Sequence, residues 1–251
     1  MLAFLSPAKS LDYSSQIPTF RETAPRFEAE SVVLAGAAAG LSVQRLRDIM
    51  DISENLAELN AERFASFENL PSRPAIYAFA GDVYIGFQAK SLAEDAILFA
   101  QDHVRMLSGL YGLLRPLDAI RPYRLEMGTR WSPATGDLYS FWGNRIADLA
   151  AADLAHEGSN IIVNLASREY WSAVEGRLPA GVRVITIDFR EEGPEGLRFN
   201  TFAAKRARGA MARSICEHRL SNPEALKDCA IEGHVFDPAN SDGDFWRFVR
   251  R

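Results

Sequence analysis

The 251-residue chain contains only two cysteines, Cys216 and Cys229. So few thiols exclude a disulfide framework as the source of stability, and the expected compartment is the reducing cytoplasm. No run of about 18 apolar residues occurs, which removes a transmembrane helix. The opening "MLAFLSPAKSLDY" has too short an apolar part, and no basic leader, for a secretory signal. Histidines are scarce too, at four. His218 and His234 share a segment with both cysteines, but C-x-H followed by C-x4-H is not a zinc spacing. No metal and no cofactor are therefore expected. G-x-S-x-G, the P-loop, G-x-G-x-x-G and H-E-x-x-H are all absent, so none of their enzyme classes is indicated. Without repeats, low-complexity tracts or long linkers, residues 1–251 are expected to form one compact domain with a sizeable core, and a monomer.

What is present reads as intermixed helices and strands. A buried strand is expected over residues 2–6. Ala-rich residues 27–40 read as a helix stopped by Gly40. Ser42 can cap a helix through Met50, and Ser53 the next one. Strand-like residues occupy 76–84. "AEDAILFAQDHVRML" reads as one amphipathic helix. The Gly- and Pro-rich residues 107–128 read mostly as loop. A long helix is expected over 137–157, strands over 160–167, 182–189 and 196–200, a helix over 201–220 and a last strand over 245–249. Few clean βαβ periods are visible, so the fold class is mixed α/β, or α+β, with a mixed sheet.

The most unusual composition is "KRARGAMAR", residues 205–213, with four cations in a chain of formal net charge −5. At about 100° per residue, Lys205, Arg208 and Arg219 share one direction, and Arg206 and Arg213 an adjoining one. Ala204, Ala207, Met211 and Ile215 form the opposite, apolar side. Gly209, Ala210 and Ala212 between the cations would admit a phosphodiester backbone, and the arginine fork suits phosphate. The same pattern also fits a solvated surface helix.

"LRDIMDISENLAELNAER" forms a second candidate. A tight turn at Ser53 between two helices resembles the helix-hairpin-helix of DNA repair proteins, in which unsatisfied N–H groups at a helix start meet a phosphate. Ile49, Ile52, Leu56, Ala57 and Leu59 match its packing positions. Asp51 and Ser53 replace the usual hairpin glycines, the nearby carboxylates of Asp48, Asp51 and Glu54 would repel a phosphate unless they point away, and two ordinary capped helices fit equally well. Further along, Arg115, Arg121 and Arg124 with Tyr111 and Tyr123 could contact phosphates and stack bases, or brace their own loop. Polar groups beyond strand ends line clefts in α/β proteins. On that ground Lys9, Asp12 and Tyr13, Asn164, Ser167, Glu169 and Tyr170, with Asp82 and Glu126, are candidate cleft residues.

Seven segments in order, "LSPAKSLDY", "MDISENLAELNAERF", "AFAGDVYIGFQA", "RMLSGLYGLLRPLDAIRPYRLEMG", "DLYSFWG", "NLASREYW" and "KRARGAMAR", resemble the YaaA family of bacterial peroxide stress resistance proteins. The resemblance runs from Met1 to about Phe236. It implies a cytoplasmic protein of the oxidative stress response, linked to DNA repair and to limiting iron-driven damage. It implies a single mixed α/β domain with a positively charged cleft and a helix-hairpin-helix element. The implied partner is double-stranded or branched DNA, bound without strong sequence preference, and no established catalytic activity comes with it. Side-chain chemistry then nominates Lys9, Arg121, Arg124, Lys205, Arg206, Arg208 and Arg213 as DNA contacts, with the Ser53 turn as a backbone donor. The alternative is an enzyme acting on nucleic acid or a nucleotide through Asp12, Asp82, Glu126, Asn164 and Glu169. A third reading is iron binding at Cys216 and His218.

Overall fold

A computed structural model describes residues 1–134 and 136–251. Its strands are β1 (Leu2–Leu5), β2 (Arg73–Pro74), β3 (Val104–Ser108), β4 (Gly112–Leu114), β5 (Ala119–Ile120), β6 (Ile161–Asn164), β7 (Arg183–Gly193), β8 (Gly196–Arg198), β9 (Val235–Phe236) and β10 (Phe245–Arg250). Its α-helices are α1 (Glu28–Ala39), α2 (Val43–Met50), α3 (Glu54–Ala65), α4 (Ala75–Ala78), α5 (Asp82–Phe87), α6 (Glu94–His103), α7 (Leu138–Trp142), α8 (Arg145–Glu157), α9 (Arg168–Trp171) and α10 (Thr201–Glu217).

The main sheet runs β4-β3-β1-β6-β7-β10-β9, with β8 paired to β7. The five strands from β3 to β10 are mutually parallel, while β4, β8 and β9 pair antiparallel. All four residues of β1 are buried. An unbroken apolar run of this kind is what a strand needs when both faces of its sheet are covered. β2 and β5 form a separate pair. The mixed α/β class is as expected, but the centre is more regular than the sequence pattern indicates.

The reason is a strand concealed behind a helix. The segment read as one helix is α6 followed directly by β3, and Val104 already has extended dihedrals. Val104, Met106 and Leu107 suit a buried helical face and a buried strand equally well. Pairing with β1, Ala3 opposite Val104, decides between them. Two further expectations are corrected. Residues 76–84 hold no main-sheet strand but two short helices, α4 and α5, separated by extended Phe79. The helix expected over 137–157 is two, α7 and α8, broken at Gly143 with φ of 52°.

Helix α10 is laid against β1 and β7 and most extensively against α5. Asn200 fixes its start, accepting from the Ala203 N–H and donating to Glu191 on β7. The crossing with α5 is made by two glycines. A Cβ on Gly209 would lie 1.7 Å from the Val83 carbonyl oxygen, and one on Gly86 would lie 2.0 Å from that of Arg206. Gly209 and Ala212 are buried. The small residues of the basic segment thus admit a neighbouring helix, not a phosphodiester backbone, because close approach there is already taken.

The cysteines and His234 near the C-terminus are held within the fold, whereas His218 is exposed. Cys216 is buried in α10, Cys229 donates to the Ala225 carbonyl, and His234 Nδ1 contacts the Ile231 carbonyl. Among the described residues, no group of three or more His, Cys, Asp or Glu is placed to hold a metal. No helix among them is long and apolar enough to cross a membrane.

Gly209→Ala is expected to cost about 3 kcal/mol, since backbone on both sides must move. Gly36→Ala meets nothing within 4 Å and should stabilise by up to about 1 kcal/mol through helix propensity. Urea unfolding of both variants measures the contrast.

Candidate functional site

Strand order locates the site. From β1 the chain moves to β3 on one side, and from β6 it moves to β7 and β10 on the other. The connections diverge between the carboxyl ends of β1 and β6, where a parallel sheet leaves a crevice. A pocket of about 460 Å³ occupies that place. Ser6, Lys9 and Ser10 reach it from beyond β1, and Ser167, Glu169 and Tyr170 from beyond β6. Asp82 comes from α5, Glu126 from the loop after β5, and Lys205 and Arg208 from α10.

Hydrogen bonds join the two strand ends. The Leu165 N–H donates to the Phe4 carbonyl at 3.0 Å. The Ser167 N–H donates to Ser6 Oγ at 2.8 Å, and that hydroxyl reaches Ser167 Oγ at 3.2 Å. Tyr84 donates its hydroxyl to the Ser6 carbonyl at 3.1 Å. Burial pushes the Tyr170 phenol well above its ordinary range, so it enters the pocket as a neutral hydroxyl.

Three cations and three carboxylates line the pocket, and they are unequally engaged. Lys9 Nζ lies 2.6 Å from Glu126 Oε2, and Arg124 lies 3.2 Å from Oε1 of the same carboxylate. Glu169 Oε1 accepts the Gly128 N–H at 2.9 Å, tying the loop to the β6 end. Lys205 is exposed and makes no ion pair or hydrogen bond to any described residue. Arg208 is half-buried; its Nε is sealed from solvent without a partner. Burial draws the pKa of its guanidinium down, opposed by the charge of Asp188. Asp188 itself is held by Arg190 at 2.9 Å and Arg247 at 2.8 Å.

Over most of the chain, similarity to known sequences accompanies this geometry. The family described as Peroxide stress protein YaaA matches residues 1–240. The chain belongs to the YaaA peroxide stress protein family. A UPF0246 protein of Rhizorhabdus wittichii is 59% identical over 251 residues, covering 100% of this chain and 99% of the relative. UPF0246 proteins of Cupriavidus pinatubonensis and Burkholderia mallei are 48% and 45% identical, with the same shares covered. Every pocket residue of this YaaA family member falls inside the family match, whereas β10 lies beyond it.

Of the residues nominated from sequence, Lys9, Asp82, Glu126, Ser167, Glu169, Tyr170, Lys205 and Arg208 meet in the pocket. The others lie elsewhere. Arg121 packs over the Phe67 ring at 5.8 Å. Arg115 braces its loop by binding Asp118, which is fully buried. Arg213 donates to the Phe87 and Gln88 carbonyls and to Ser91, and pairs with Glu217. Arg206 lies 3.7 Å from Glu232. The Tyr13 hydroxyl donates to the Ile120 carbonyl, and Asn164 accepts the Ala166 N–H. Ser53 begins α3 on an exposed turn that follows Asp51, whose φ is 50°. Beside it Leu56 and Leu59 are exposed, not packed as expected; Ala57 alone of those three is buried. Sequence reasoning missed Ser6 as a site residue, although it follows β1 as Ser167 follows β6.

Asp12 borders a second pocket, with Tyr77, Tyr84 and Lys90. Its carboxylate accepts from the Ser15 hydroxyl and N–H, the Ser14 N–H at 3.0 Å and Lys90 at 3.1 Å. These donors, Ser15 foremost, hold its pKa far below the ordinary value of 3.8. A depressed folded value means that the stabilisation is complete above the unfolded pKa and is lost as pH falls through the folded one. Carboxyl NMR should find Asp12 still ionised at about pH 3, below the usual aspartate range. Removing the Lys90 and Ser15 side-chain donors together (Lys90→Met, Ser15→Ala) should raise its midpoint.

Proposed function

We propose that this YaaA family protein acts in the cytoplasmic peroxide stress response by binding double-stranded or branched DNA. Contacts go to phosphates, without strong sequence preference, and serve to limit iron-driven damage. One observation carries the reading: α10 presents Lys205 at the pocket and, next in the chain, Arg206 outside it as exposed cations, the first unpaired among the described residues and the second only loosely paired. Such weakly held cations exchange their partners for phosphate at little cost, and release of counterions from DNA then drives association. Lys9, whose side chain is 62% exposed in its pair with Glu126, would exchange that carboxylate for a phosphate across the pocket. The exposed Ser53 turn offers backbone donors as a further contact. Arg121, Arg124 and Arg213 are engaged inside the fold and are not assigned to DNA.

Iron bound along DNA generates its oxidants where it sits, which makes a DNA-bound protein a sensible agent of protection. A second reading, an enzyme acting on nucleic acid or a nucleotide, is favoured by the meeting of Asp82, Glu126 and Glu169. Against it, Lys9 and Arg124 neutralise Glu126. Loss of a product-forming activity in Glu169→Gln, with DNA affinity retained, would establish it.

The DNA reading is tested by titrating a labelled duplex at about 50 and 200 mM salt. Lys205→Ala/Arg206→Ala should weaken binding at least tenfold at the lower salt and reduce the salt slope by about 2, one per lost phosphate contact. Equal affinity of variant and wild type would remove α10 from the interface.

A further inference from the structure

We infer that the pocket between β1 and β6 binds a compact phosphomonoester of mononucleotide size. Its phosphate would lie on Arg208 and Lys205, and its hydroxyl- or amine-bearing body against Asp82 and Glu169. The inference requires neither a duplex nor a reaction, and it turns on a residue that the DNA surface does not need.

Arg208 is the first ground. It is half-buried, its Nε is sealed from solvent, and it makes no hydrogen bond or ion pair to any described residue; a buried donor left without a partner is costly to keep. Buried polar groups are otherwise almost always satisfied. The nearby carboxylate cannot meet the need, because Asp188 is already shared by Arg190 and Arg247. An anion in the pocket would supply the missing acceptor.

The partner of Arg208 indicates which anion. Lys205 lies three residues earlier, hence on the same helix face, and lines the same pocket without an acidic partner. A planar fork beside a second, mobile cation matches the several oxygens and double charge of a phosphate monoester better than one carboxylate. The opposite lining excludes a simple polyanion. Asp82 forms no ion pair with any described residue, and Glu169 has one oxygen engaged by Gly128. Both therefore look for donors. A ligand suited to the whole pocket is anionic at one end and rich in hydroxyl or amino groups at the other, as nucleotides are. A volume of about 460 Å³ is right for one small molecule, and the crevice lies where parallel sheets ordinarily receive such ligands.

Calorimetric titration of the full chain tests this with nucleoside 5′-monophosphates and ribose 5-phosphate, against the matching nucleosides and inorganic phosphate. A 5′-phosphorylated oligonucleotide and its 5′-hydroxyl counterpart distinguish a free ligand from a DNA end. At least one phosphomonoester should bind tenfold or more tighter than both its dephosphorylated form and inorganic phosphate. Arg208→Met should remove that preference while leaving the melting temperature equal or higher, since an unpaired, half-buried charge is replaced by an apolar stem. Arg208→Lys, which keeps the charge and loses the fork, should bind at an intermediate level. Asp82→Asn should weaken phosphomonoester binding more than that of inorganic phosphate. Failure of every phosphorylated probe, wild-type binding in Arg208→Met, or a lowered melting temperature in that variant would overturn the inference. Duplex binding measured on the same samples separates the two proposals: failure of the wild type to bind any phosphomonoester, with its duplex affinity intact, sinks this one alone.

Discussion

The crossing of α5 and α10 is the contact on which the candidate site depends. With glycine at positions 86 and 209, the two helix backbones touch directly. Any side chain at either position would hold the helices apart and lift α10 away from the pocket. Because α10 sits this low, Arg208 is half-buried while Lys205 and Arg206 stay in water. One helix thus carries two kinds of cation: exposed ones suited to exchangeable phosphate contacts, and a half-buried one whose Nε lacks a partner.

The pocket itself is a product of sheet topology. Ser6 and Ser167, 161 positions apart, meet because β1 and β6 are neighbours. Their hydroxyls and the Leu165–Phe4 backbone bond close the crevice floor. Glu126 and Glu169 then anchor the loop after β5, one through Lys9 and Arg124, the other through the Gly128 N–H. The loop arginines serve the loop and the core. What the loop brings to the pocket is a carboxylate, so the lining is mixed in charge.

Much of this was legible beforehand where one local rule dominated. β1 and β6 announce themselves as short apolar runs ending in polar groups, and of the polar groups nominated beyond them Lys9, Ser167, Glu169 and Tyr170 line the pocket while Asp12, Tyr13 and Asn164 do not. Ser42 caps α2 through the Arg45 N–H, and Ser53 stands at the start of α3 without a side-chain cap. The phase of α10 correctly separates its apolar side, because helical geometry is local. The errors lie where two rules compete. Val104–Ser108 satisfies both helix and strand patterns, and only pairing with β1 resolves it. The glycine and alanines of the basic segment signal close approach without saying by what.

The sequence by itself determined the family, the mixed α/β class, the strand ends that carry the pocket and the presence of a basic helix, since each rests on residue type and local spacing. Tertiary structure alone decided which cations are free. Arg208 and Lys205 share a helix face and look alike in sequence, yet one is half-buried and the other is exposed. Arg213, equally basic, is spent on the carbonyls of Phe87 and Gln88. Burial and partner choice depend on how closely a neighbouring helix packs, and that distance is a property of the assembled fold.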